Sequence, residues 1–486
     1  MPPLTRTRFR KRQVLTLPLS ASQKGVKPVF KFFSIVLLLT LFITIAGGSC
    51  HAMDRSHYIE LSQRLSALAK KKDWQGAREI LSEIGKGLPA PTPRYYLTVA
   101  SVEAHLGHKE EALQWLEKFA STGLTYDVAK DEDLKALATE PKGQKIIGQL
   151  QANSKPIKKA EFVCTLPQTD VMPEDITYLK SSGGKSAPGF VVSSIQHRTL
   201  YQVQLPQPGN KECAMQELPL ADEAKHWPTM AVSADPKRKV LWVTASAIPG
   251  FTGFPKEDEG KTVLLEVDAS SGKILHRYAP ETSGPAVLGD MCVTDDGTVY
   301  VTDSLGGGVY RLHGDLQTAR LEKIADGLFS PQTPVLSRDG KRLFVADYTM
   351  GIAVINLATT NAAAEVSYLP HPENVAVVGL DGLYLSGDSL IGVQNGTNPD
   401  RILWLHLNPA QTQITSAEVI EQASDRMGDP THAVVVDEWF YVSANVGWSK
   451  VDDNTGQLKP GEKFTAPVLL RFPAQNRTDK HREGQQ

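Results

Sequence analysis

Four polar residues far apart in the chain, Glu174, Asp290, Gln332 and Asp381, each stand at the opening of a run in which apolar and polar residues alternate. Alternation with period two marks a β-strand with one buried face, so the four side chains occupy equivalent places in repeated units. If such strands surround one axis, their openings converge at one end, bringing three carboxylates and an amide oxygen together. Two carboxylates about 5 Å apart repel by about 3 kcal/mol at an effective dielectric of about 20. Solvation in a wet channel or raised pKa values relieve that repulsion, but a bound divalent cation does so more simply. All-oxygen ligation suits Ca²⁺, Mg²⁺ or Mn²⁺. His432 falls close enough to the same end to touch a substrate.

The units that must position these residues are plainest at 288–312, LGDMCVTDDGTVYVTDSLGGGVYRL, where two alternating runs flank an Asp-Gly turn and a third follows. Such a turn between alternating runs is the strongest short-range hairpin signal. Close copies start at Ser330 and Leu380, and weaker ones at Pro173, Pro228 and Pro430. Their first strands open at Glu174, Thr229, Asp290, Gln332, Asp381 and Thr431, and the spacings of 55, 61, 42, 49 and 50 residues suit four-stranded propeller blades. Six units predict six blades. The last unit has three clear strands, while EFVCTL at 161–166 stands alone ahead of the first. Pairing that strand with the last blade closes the ring and hides two edges.

Ahead of the propeller the period changes. Through residues 55–152 apolar residues recur at steps of three and four, which predicts helices. Ala77 and Ala112 are 35 residues apart, as are Leu81 and Leu116, and with Gly107 this spacing resembles tetratricopeptide repeats. Such arrays bury a shared face and offer a groove to a protein partner; packing on the propeller is the plainer role. The expected chain is thus an α+β multidomain protein: a leader at 1–52, an all-α helical domain at 53–152, a linker at 153–160, a six-bladed β-propeller at 161–473 and a disordered tail at 474–486.

The leader carries a basic flank, RTRFRKR at 6–12, an apolar run at 32–45 and the small residues Gly47 to Ala52. That order reads as a secretory signal, and a run of 14 residues falls short of the roughly 20 that span a bilayer. Cleavage after Ala52 is favoured, with lipidation at Cys50 the alternative; either way the protein is exported to the periplasm or envelope and meets the membrane only through its leader or lipid. There a bridge between Cys164 and Cys213 is permitted but not required, whereas Cys292 reads as a buried filler. Beyond residue 50 the chain has 44 basic against 54 acidic residues, so nucleic acid is not an expected partner.

Several motifs look chemical and are not. Gly387-Asp-Ser-Leu390 spells an esterase nucleophile motif, but it falls in the hairpin of the fifth unit rather than on an exposed turn beside a histidine. Val267-Asp-Ala-Ser-Ser-Gly-Lys273 resembles a quinoprotein propeller turn, yet occurs once and lacks the following Trp; Gly183-Gly-Lys-Ser186 lacks phosphate-loop spacing. His226, His371 and His432 show no metal-ligand spacing among themselves.

Six units with Glu opening the first, Gln the fourth and Asp381-Gly382 the fifth resemble the gluconolactonase and luciferin-regenerating-enzyme family, relatives of paraoxonases. The resemblance implies Glu174, Gln332 and Asp381 as ligands of a divalent cation, Ca²⁺ first and Mg²⁺, Mn²⁺ or Zn²⁺ as alternatives. It implies Asp290 as a substrate contact. Gln332 stands where that family has Asn, and Asp175 and Thr333 replace glycines. The expected activity is hydrolysis of a lactone or related cyclic ester, with Asp381 also orienting or deprotonating a water and Asp290 and His432 touching substrate. The alternative is a non-catalytic propeller that holds a ligand while the helices recruit a partner.

Overall fold

A computed structural model describes residues 53–474 apart from 181–188, 221–226, 236, 359–364 and 453. The leader, the tail beyond 474, His226 and the Gly183–Ser186 motif lie outside the described residues.

Five helices come first: α1 (Arg55–Lys71), α2 (Trp74–Gly87), α3 (Pro93–His105), α4 (Lys109–Ser121) and α5 (Pro141–Asn153). Their boundaries are written in the sequence. Asp54 accepts from the Ser56 and His57 amides ahead of α1, Asp73 accepts from Gly76 ahead of α2, and Thr92 caps α3 with Pro93 in its first turn. Gly107, at φ 74°, makes the reversal between α3 and α4. The spaced residues Ala77, Leu81, Ala112 and Leu116 are all buried, and α1 packs on α2 as α3 packs on α4. No described helix is long and apolar enough to cross a membrane.

The remainder is the expected six-bladed propeller. Each blade is an antiparallel sheet whose first strand is innermost: Pro173–Leu179, Thr229–Asp235, Leu288–Val293, Pro331–Leu336, Leu380–Ser386 and Ala433–Val436. Inner-strand side chains and their neighbours interleave between blades, giving a run of apolar clusters around the ring. The strand Glu161–Thr165 pairs with Val468–Pro473 as the outermost strand of blade 6, so the N-terminal strand does complete the last blade.

One feature lies outside the sequence reading, and one that it left open is decided. Within the stretch read as a linker, Ile157–Lys158 pairs with Gln422 and Glu421 as a fifth strand on blade 5. The buried Glu421 carboxylate accepts from the Lys159 and Ala160 amides at 2.8 and 3.0 Å. Cys164 and Cys213 form a disulfide with Cα atoms 5.6 Å apart, tying the closing strand to blade 1. Cys292 is a free thiol that burial pushes up to about 12, so it is chemically quiet.

The helical domain rests on the propeller rather than beside it. Phe329 and Met350 join the α1/α2 core, with Tyr58 edge-on to Phe329 at 5.1 Å, and Ala376 joins the core of α3, α4 and α5. Arg55 donates to the Leu305 and Gly306 carbonyls, and the Thr125 amide donates to Asn398 O at 2.7 Å. Arg401, a buried cation, donates to Thr122 O at the C-terminus of α4, where the helix dipole favours positive charge. In an antiparallel blade, the loop after the second strand and the loop leading to the next blade lie on the face where inner strands open. Leu305, Phe329, Met350, Ala376 and Asn398 all belong to such loops, so the helices rest on blades 3 to 5 at the face on which Glu174, Asp290, Gln332 and Asp381 open.

Candidate metal centre

A local irregularity places each axial side chain. The pairing between first and second strands slips at Pro173/Ile176, Thr229/Val232, Leu288/Met291, Pro331/Pro334 and Leu380/Gly382. A bulge adds a residue and re-aims side chains, and in four of these blades it contains or abuts Glu174, Asp290, Gln332 or Asp381. Hydroxyls brace the bulges across blades: Thr244 donates to Gly289 O at 3.1 Å, and Thr333 donates to Asp381 O at 2.9 Å. Asp175 accepts from the Ile176 and Val232 amides, both at 2.8 Å. The two positions where the family that the sequence resembles has glycine are therefore occupied by staples between neighbouring inner strands.

At the axis, Glu174, Asp381 and His432 each present a ligand atom, and these atoms lie within 4.8 Å of one another. His432 Nδ1 is 2.8 Å from the Glu174 carbonyl oxygen and its Nε2 is 3.1 Å from Asp290 Oδ2. Asp381 Oδ2 accepts from Asn395 Nδ2 at 2.7 Å; Asn395 also donates to Pro430 O, and its Oδ1 accepts from Tyr348 Oη at 3.0 Å. Gln332 points its Nε2 at the Ser330 carbonyl and hydroxyl, at 3.2 and 3.0 Å. That leaves its Oε1 buried with no hydrogen-bond partner among the described residues.

Glu174 and Asp381 thus lie together with His432, and Asp290 adjoins them through His432, while Gln332 stands at the equivalent opening of blade 4 with its amide nitrogen on Ser330. Asn395, Tyr348 and Trp448 escaped the sequence reading; each stands in the loop after a blade's second strand, and nothing in its local pattern marks it. The electrostatics follow from burial. Burial alone would lower the His432 pKa, but Asp290, Asp381 and Asp175 outweigh it and raise it to about 9. Asp175 is pushed up to about 6, first by burial and further by Asp290, with His432 opposing. One imidazolium cannot neutralise Glu174, Asp290 and Asp381 together. The residue set fits a divalent cation, which would take over as counter-charge and leave the imidazole neutral.

The mouth is closed. Glu174 and Gln332 are 0 % exposed, Asp290 and His432 1 % and Asp381 5 %. Above them Met172, Met230, Ile248, Val287, Val446 and Trp448 form an apolar plug, with Phe251, Leu305 and Phe464 packed on it. Trp448 Nε1 donates to Glu174 Oε2. Its turn is fixed by Asp429, which accepts from Gly447 N at 3.0 Å and Ser449 N at 2.7 Å. A surface cleft of about 670 Å³ between Trp227, Lys261, Arg277 and Pro285 contains none of the axial residues. The esterase-like Ser389 does have a histidine, its Oγ lying 3.1 Å from His406 Nδ1 on the adjacent strand, but it is buried inside the sheet.

The chain matches no protein-family model and no curated protein. Solved structures of similar shape include a gluconolactonase from Xanthomonas campestris, at 13 % identity over 66 % of this chain and 92 % of that one, TM-score 0.42. Others are a PQQ-bound aldose sugar dehydrogenase from Streptomyces coelicolor, at 13 % identity over 65 % and 98 %, TM-score 0.41, and a luciferin-regenerating enzyme, at 11 % over 65 % and 92 %, TM-score 0.36. Likenesses this distant decide nothing about the site; the propeller rests on its own sheet topology.

Proposed function

We propose that the axial cluster holds a divalent cation and serves a hydrolase of a lactone or related cyclic ester. The observation that carries this reading is the buried Glu174–Asp381–His432 set with the unpartnered Gln332 oxygen beside it in the ring. A cation bound there supplies Lewis acidity toward an ester carbonyl and acidifies a water, so no Ser or Cys nucleophile is needed. Asp381, oriented by Asn395 and through it by Tyr348, is the group to hold a water and take its proton. Asp290, whose Oδ2 lies 3.1 Å from His432 Nε2 beside the set, is the substrate contact. Trp448 and its loop exclude water from the centre and must move for a substrate to reach it.

Screening sugar lactones, acyl-homoserine lactones and aryl esters with added divalent ions tests this. Turnover that Asp381→Asn abolishes supports the hydrolase; general-base assistance of this kind is worth about 10²–10⁴-fold. The closed mouth favours a second reading, a non-catalytic envelope protein in which the cation holds the ring together and the tetratricopeptide-like helices bind a partner. A metal-loaded protein inert to every substrate class selects that reading. Export accords with the Cys164–Cys213 disulfide, since such bonds persist in oxidising compartments. An intact Met1 on cytosolic protein, read by mass spectrometry, overturns it.

A further inference from the structure

The donor set at the axis is not all oxygen. We infer that His432 Nε2 is itself a ligand of the axial cation, and that the centre therefore selects a first-row transition ion over Ca²⁺ or Mg²⁺. The inference rests on the axial-cation reading above and goes beyond it by naming the ligand that sets the ion.

The first argument is tautomeric. Nδ1 lies 2.8 Å from the carbonyl oxygen of Glu174, a pure acceptor, so Nδ1 must carry a proton to bond there. A neutral imidazole protonated at Nδ1 has its lone pair on Nε2, which here faces Asp290 Oδ2 at 3.1 Å, so a cation on Nε2 would take the place of the proton shared with that carboxylate. Metal-ligating histidines are oriented in this way, by donating the other ring N–H to a carbonyl or carboxylate. The orienting carbonyl here belongs to Glu174, a neighbouring member of the set, so the first and sixth blades fix each other's ligands.

The second argument is the donor inventory. Glu174 and Asp381 supply carboxylate oxygens and His432 a nitrogen, their ligand atoms all within 4.8 Å of one another. The buried, unpartnered Gln332 Oε1 is a further oxygen donor on the same face, and the Nε2 bonds to Ser330 fix which end of its amide remains over. Ca²⁺ takes six to eight oxygen ligands, whereas imidazole with carboxylates suits Mn²⁺, Fe²⁺ or Zn²⁺. Three side chains plus one amide oxygen in a dry, closed centre give a low coordination number with a nitrogen in it. Both properties disfavour Ca²⁺.

The test uses purified full-length mature protein stripped of metal, titrated with Zn²⁺, Mn²⁺ and Ca²⁺ by calorimetry and thermal melting, with pulsed EPR of the protein carrying one equivalent of Mn²⁺. Expected are tighter binding of Zn²⁺ and Mn²⁺ than of Ca²⁺ and coupling of Mn²⁺ to one imidazole nitrogen. In His432→Gln that coupling should vanish and Zn²⁺ affinity should fall by about 100-fold or more, beyond the 10–100-fold typical of losing an orienting partner. Its Ca²⁺ affinity should stay within a few fold. Absence of nitrogen coupling in the wild-type protein overturns the inference without any variant, should His432→Gln fail to fold. Binding lost in Asp381→Asn, yet equal for Ca²⁺ and Zn²⁺ and unchanged in His432→Gln, also overturns it while leaving the axial centre standing. No divalent binding at all, or binding indifferent to Asp381→Asn, sinks the axial centre itself.

Discussion

Blades 6 and 1 meet twice, by different chemistry. At the rim the strand Glu161–Thr165 hydrogen-bonds to Val468–Pro473, and a disulfide joins Cys164 to Cys213 in the neighbouring blade. At the axis the same two blades meet through His432 Nδ1 and the Glu174 carbonyl and through Ser443 Oγ donating to Pro173 O at 3.1 Å, while His432 Nε2 reaches across to Asp290 Oδ2 of blade 3 at 3.1 Å. The rim closure is made of backbone and covalent bonds, which no ion or proton disturbs. The axial closure is made of buried charges, whose strength depends on what compensates them. A ring built this way holds its topology at the outside and keeps its centre responsive.

The largest test of that contrast removes the rim strand. Deleting residues 161–166 opens two sheet edges and takes one partner from the disulfide, so the propeller should lose its cooperative transition. A truncated protein that melts like the intact one refutes closure at the rim. Cys164→Ser with Cys213→Ser leaves the strand but frees the loop of 49 residues, which chain-entropy reasoning puts at about 4 kcal/mol of unfolding free energy. Denaturant unfolding measures it, and divalent-ion affinity should be untouched if the two closures are independent.

Saturating the axis with cation at about 100 times Kd should add about 2.7 kcal/mol to stability. The gain should disappear in Asp381→Asn and survive in the disulfide-free protein. A chelator that lowers the Tm of Asp381→Asn as much as that of wild type places the ion elsewhere.

The smallest effect is protonic and belongs to the metal-stripped protein. Asp175 has a folded pKa of about 6 against an ordinary 3.8. The folded state therefore binds more protons than the unfolded one across this window. Stability should fall as pH rises from about 4 through 6, by about 2 kcal/mol. Asp175→Asn should flatten that slope relative to wild type. A slope unchanged in the variant assigns the titration to another group.

The sequence fixes whatever depends on local pattern. Period-two alternation with Asp-Gly turns set the number of blades and which residues open each inner strand. The unpaired run at 161–166 announced the closing strand because an unsatisfied edge is a local fact. Caps at Asp54, Asp73 and Thr92 and the three-and-four spacing set the helices. What the tertiary structure decided depends on where distant segments meet. His432 has no ligand spacing with Glu174 or Asp381 in sequence; it becomes their partner because blades 6, 1 and 5 share an axis. The bulges that aim Glu174 and Asp290 are relations between two strands, invisible in either one. The disulfide needed Cys164 and Cys213 brought to 5.6 Å. The plug around Trp448 is the product of six loops converging, because side-chain chemistry is encoded residue by residue but its company is set only by the closed ring.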